Sequence, residues 1–210
     1  MARSYGAHSD EYSRERRQLP AGVSAVRPVI DEKARVLCLR PYPGHPHGCP
    51  NWGKRPACPP AAPLFQDVLD LDGPVHAAYS TFDLAAHVAR LRIRHPSWSE
   101  RRLRCCLYWQ GTARKRLRGI VEAFLSEHPT HITVYCPEAC GVDVTATMAA
   151  IGIRLEWPPR RVAYQVALIG LPANGASFGG ASSGLGAASR RRDGGRTEPS
   201  RWESTRRTRG

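Results

Sequence analysis

The sequence predicts an α/β fold, a single mixed-sheet α/β sandwich domain with disordered basic tails. Three observations carry this reading. A chain of 210 residues and 23.2 kDa suits one real core plus extensions. Between residues 28 and 171, short runs of alternating apolar residues interleave with stretches of helical periodicity, the pattern of strands and helices sharing one core. Outside those limits aliphatic residues give way to Gly, Ser and Arg, which bury too little apolar surface to offset chain entropy. The expected organisation is therefore a tail over 1–27, a Cys-containing domain over 28–171 and a Gly/Ser/Arg-rich tail over 172–210. Of the formal net charge of +13, the tails hold +2 and +5, leaving +6 on the domain.

Alternation from Lys33 to Arg40 predicts a first strand, which places Cys38 among aliphatics in the core. Val75–Phe82 predicts a second strand. Asp83 is placed to cap a helix bearing Leu84, Val88 and Leu91 on one face, and His95-Pro96 closes it. Ser97-Trp98-Ser99-Glu100 has capping-box spacing and opens further helix. Leu103, Cys106 and Leu107 share one stripe, which Leu117, Val121 and Phe124 extend beyond a break expected at Gly111-Thr112. His131–Tyr135 reads as a strand and Cys136–Gly141 as a turn. Asp143 caps a short helix that ends at Gly152. Ile153–Trp157 and the alternating Arg161–Leu171 supply the last two strands.

No apolar leader precedes the domain and no run is long enough to span a bilayer, so the expectation is a cytoplasmic protein with no membrane partner. Seven Cys make an odd count for a disulfide framework, and in a reducing compartment the thiols are free, buried or metal-bound.

The densest chemistry lies in His45-Pro-His47-Gly-Cys49-Pro-Asn-Trp-Gly-Lys-Arg-Pro-Ala-Cys58-Pro-Pro. Pro removes backbone donors and Gly permits reversal, so the segment is a stiff, sharply turning loop carrying soft-metal donors. Eight residues separate Cys49 from Cys58, which matches no self-contained zinc knuckle, so the loop is half of a site. Cys136 and Cys140, between a strand and a helix start where amides favour a thiolate, are the natural source of the other half. Cys106 or a loop imidazole, His45 or His47, completes the set, with Cys105 in reach. The ordinary alternatives are a Pro-rich structural turn with incidental Cys49 and Cys58, a purely structural Cys136, a core role for Cys106 and Cys140, and solvated loop imidazoles. Sulfur-rich ligation suits zinc or an iron–sulfur cluster.

Cys49-Pro-Asn-Trp-Gly-Lys…Cys58-Pro-Pro resembles the opening signature of a bacterial and archaeal domain of unknown function described as predicted metal-binding. Glu138-Ala-Cys-Gly-Val-Asp143-Val resembles a later segment of the same family. The resemblance covers roughly residues 38–171. It implies ligand roles for Cys49 and Cys58 and a role for Cys136, and it implies no particular reaction. Pro46 stands where the family often has a further Cys, and a compact Cys-rich insert ahead of the Glu-Ala segment is missing.

A second chemistry competes. Residues 90–118 hold ten Lys or Arg against one acid, Glu100, with Trp98, Tyr108 and Trp109 interleaved. Arg101, Arg102, Arg114, Lys115, Arg116 and Arg118 on such a surface could neutralise phosphates, with the Arg-rich tail adding to them, or could simply form a solvated helix face. The rival reading is a nucleic-acid-binding accessory protein with a structural metal. A third is a thiol-dependent oxidoreductase using Cys136 and Cys140. No Gly-rich phosphate loop, nucleophile elbow or His-Glu-x-x-His helix is present, so no reaction is assigned.

Overall fold

A computed structural model describes residues 20–42 and 45–173. The tail expectations for residues 1–19 and 174–210 lie outside the described residues. A four-stranded sheet in the order β1-β2-β4-β3 organises the rest, from β1 (Gly22–Val26), β2 (Val75–Asp83), β3 (Ile132–Val134) and β4 (Val162–Gly170). All three pairings are antiparallel, so the sheet is not mixed in strand direction. Residues 22–26, expected within the tail, are an edge strand.

The helices are α1 (Leu84–Arg94), α2 (Glu100–Leu103), α3 (Gln110–Glu127) and α4 (Val144–Ala149). Side chains alternate across the two long strands. Ala78, Ala167 and Ile169 meet Leu117 and Val121 of α3, whereas Val75, Ala77 and Leu168 meet Phe65, Leu69, Val142 and Met148. Asp83 and Asp143 cap α1 and α4 as their positions predict, accepting from the amides of Ala86 at 2.8 Å and Ala146 at 2.9 Å. No helix among the described residues is long and apolar enough to cross a membrane.

Three local expectations are corrected. Lys33–Arg40 is not a strand; Glu32–Leu39 forms a 3-10 helix capped by Asp31, whose carboxylate accepts from the Lys33 amide at 3.0 Å. Val36, Leu37 and Leu39 are exposed there, so their alternation does not mark a buried face. Ile153–Trp157 joins no strand pair. Gly152 turns the chain at φ 79°, Glu156 accepts from the amides of Arg160 and Arg161, and Ile153 and Leu155 pack against the core as loop residues.

The helix break, finally, falls at Arg104–Cys105 and not at Gly111, which sits inside α3. Trp109 explains it. Its indole is buried and stacked on Phe82 at 5.5 Å, and its Nε1 donates to the Arg104 carbonyl at 3.3 Å. Turning Trp109 inward leaves Leu107, expected on the apolar stripe, 80% exposed.

Candidate metal centre

The loop between Cys49 and Cys58 is a succession of turns closed by main-chain hydrogen bonds. The amides of Trp52, Lys54 and Cys58 donate to the carbonyls three residues earlier, and Gly53 N donates across the loop to Pro59 O at 2.8 Å. Gly48 turns at φ 80°, and a Cβ there would lie 2.6 Å from the Cys38 carbonyl oxygen. Only glycine fits. That close approach lets Cys49 N donate to Cys38 O at 2.6 Å, which joins the loop to the 3-10 helix. Arg35 on the same helix clamps the far end, with Nη2 donating to the carbonyls of Pro60 and Ala62, each at 2.8 Å.

The 3-10 helix is in turn fastened to the second Cys segment. Asp31 N donates to Gly141 O and Asp143 N to Val29 O, both at 2.8 Å. A Cβ on Gly141, whose φ is 90°, would stand 3.3 Å from Glu32 Cα. Pro137–Cys140 forms a single 3-10 turn beside the helix bearing Cys38. Both Cys-bearing segments are therefore fastened to a third element, the one that carries Cys38.

The electrostatics follow that geometry. Burial pushes the Cys38 thiol up to about 11, reinforced by Cys49, Glu138, Cys58 and Cys136. Cys136 is raised by burial and then by Glu138, Cys58 and Cys49, while Arg114 opposes the rise. Burial also raises the Glu138 carboxyl. Cys136 and Glu138 are nevertheless exposed residues. Cys49, Cys58 and Glu138 thus lie near enough to Cys38 and Cys136 to disfavour ionisation of those two thiols.

The remaining expected donors are placed differently. Cys140 is 7% exposed and packs in the apolar cluster, its thiol pushed up to about 11 by burial and Cys136. Cys106 Sγ lies 3.7 Å from His45 Nε2. Its thiol is raised by burial and then by neighbouring Cys105. The Tyr42 ring is 4.7 Å from His45, and its hydroxyl is pushed up to about 12 by burial, then by Cys49, Cys106 and Cys38. Cys106 and His45 thus meet beside Tyr42, with Cys105 adjoining. His47 is exposed. Among the described residues, no three His, Cys, Asp or Glu side chains stand arranged to hold a metal ion.

The sequence reading places Cys38 in a core strand, whereas it is half-buried on the 3-10 helix. Asp31 followed by Glu32 was the available signal of a helical start. Arg35, Tyr42 and Arg114 carried no motif and are identified only by what they touch or face. The basic residues on α2 and α3 do not form one uniform group. Arg114 acts on Cys136, Cys106 and Tyr42, Arg116 Nη1 donates to Thr81 O at 3.5 Å, and Arg101 and Arg102 are exposed on α2. Lys115 and Arg118 are exposed on α3.

Comparison with known proteins finds no matching family model, no matching curated protein and no matching solved structure. The family resemblance thus rests on the quoted motif residues alone.

Proposed function

We propose that this protein binds a thiolate-ligated metal centre, a zinc ion or an iron–sulfur cluster, through Cys38, Cys49, Cys58 and Cys136. The main-chain bond from Cys49 N to Cys38 O, with Cys58 and Cys136 near enough to Cys38 to oppose its ionisation, is the observation that carries the reading. Soft thiol donors from separate segments, fixed on Gly/Pro turns, fit such a centre, and Glu138 supplies a further oxygen beside them. The resemblance of the two motif segments to a predicted metal-binding domain points the same way.

The Cys38 and Cys136 thiols, raised above their ordinary range, are protonated at neutral pH. A cation reverses that balance by neutralising the thiolates. Drawing the four sulfurs onto the centre releases protons, so affinity rises with pH. Arg114 beside Cys136 offsets part of the negative charge that remains. The centre supplies a structural cross-link if it is zinc and electron transfer if it is a cluster. An oxidoreductase using Cys136 and Cys140 is less well supported, because burial raises both thiols where such chemistry needs a low value.

Metal analysis of anaerobically purified protein, read with its visible spectrum, tests the proposal. About one zinc per chain, or iron with acid-labile sulfide and a visible band, is the expected result. Replacing Cys49 and Cys58 together with Ser should abolish either. Sub-stoichiometric metal after both aerobic and anaerobic preparation would overturn the reading.

A further inference from the structure

The basic stretch between α1 and α3 carries an arrangement that the metal centre does not use. His95 lies flat against Trp98, with ring centroids 4.0 Å apart and an interplanar angle of 6°. Tyr108 continues the stack on Trp98 at 5.3 Å and 27°. The Arg102 guanidinium sits 4.1 Å from the Trp98 ring centre. Trp98 is therefore engaged within the protein, while Tyr108, at the end of the row, is 46% exposed. Two further apolar side chains of the region, Leu107 at 80% and Ile93 at 82%, are left to solvent.

Cations surround this row with almost no neutralisation. Glu100, the lone acid of residues 90–118, is shared between Arg92 and Arg104. Those are the only ion pairs among the described residues. Arg90, Arg94, Arg101 and Arg102 have no carboxylate partner, and all four are exposed. Arg104 also donates to the Arg160 carbonyl at 3.0 Å, which brings the backbone of a second basic segment alongside.

We propose that this surface binds single-stranded nucleic acid, an unpaired base extending the aromatic row on Tyr108 while Arg94, Arg101 and Arg102 meet flanking phosphates. Charge alone would accept any polyanion. The exposed aromatic end is what selects among them: an unpaired base offers a π-face, whereas an acidic peptide need not and a duplex keeps its bases stacked inside. Preassembly of the row on Trp98 limits the side-chain freedom lost on binding. This inference is independent of the metal proposal, since none of its residues is a proposed ligand.

Fluorescence anisotropy of a labelled oligothymidylate with the full chain, at several salt concentrations, tests it. Binding should weaken steeply with salt, and Tyr108→Ala should weaken it about tenfold while Tyr108→Phe retains it. Arg101→Gln with Arg102→Gln should lower the salt slope by about 1 to 2. Unchanged thermal melting of these variants establishes that they fold. No binding, or parental affinity in both the Tyr108→Ala and the double arginine variants, overturns the proposal, the latter placing the contacts elsewhere in this basic chain. Equal competition by a duplex of the same sequence overturns the stacking contact. Equal competition by polyglutamate overturns nucleic acid as the partner in favour of an acidic protein.

Discussion

The sheet core and the cysteine loop hold their shapes by different forces. Around Phe65, Leu69, Met148 and Leu168 the side chains are almost wholly removed from water, and burial of apolar surface supplies the stability. Between Gly48 and Ala62 the buried residues are few and small, chiefly Gly48, Pro59 and Ala62. Shape there comes from successive turns, glycines at positive φ and the Arg35 clamp. A region held mainly by directional bonds has little intrinsic reserve and gains most from a ligand that ties its donors together. Loop and core thus differ in what holds them, directional bonds in the one and apolar burial in the other.

Breaking the core should have the largest effect. Phe65→Ala removes a side chain with no exposure, between the cysteine loop and β2, and should cost about 3–5 kcal/mol in urea unfolding. Loop and sheet should then unfold in one transition. Loss of less than about 1 kcal/mol would show that the core does not govern global stability.

Breaking the clamp should be smaller and local. Arg35→Ala deletes two charge-assisted hydrogen bonds to the carbonyls of Pro60 and Ala62, of order 2 kcal/mol in the free energy of opening the loop. Amide exchange at Cys58 and Ala62, both bonded within the loop, should accelerate while the amides pairing β2 with β4 keep their rates. Uniform acceleration would mean that the loop and the sheet are one cooperative unit.

The same contrast explains what could be read in advance. Where regular elements cross the core, the reading holds: Val75–Phe82 and the alternation over 162–168 mark β2 and β4, and Asp83 and Asp143 announce their helices. Where one tertiary contact dictates structure, the pattern misleads. Burial of Trp109 moves the helix break from Gly111 to Arg104, and the alternation about Cys38 belongs to a partly exposed 3-10 helix. Cys49, Cys58 and Cys136 were legible as thiols suited to ligation, because Gly and Pro around the loop betray a turn. The attachment of their segments to the helix bearing Cys38 was not, since it depends on the main-chain bond allowed by Gly48 and on the packing of Gly141 against Glu32. The strand β1 was hidden by the polar composition before it; as an edge strand, it buries only in part.

The smallest effect expected lies at the far end of α3, where the core itself contains titratable groups. His76 on β2 packs against Phe124 at 5.0 Å, with His131 at 6.2 Å, and its Nδ1 is buried with no partner. Its pKa is lowered by burial, then by the charges of His131 and His128. His87 is lowered likewise, by burial and then by Arg90. As pH falls below about 6.5, the unfolded chain takes up protons that the folded chain resists. Stability should therefore fall with pH from about 6.5 and level off once the folded imidazoles also protonate. His76→Phe keeps an aromatic ring against Phe124 and removes one titrating group, so urea unfolding between about pH 7 and pH 5 should show a shallower slope, with His87 supplying the remainder. An unchanged slope in that variant would move the acid sensitivity out of the core and into the carboxylates.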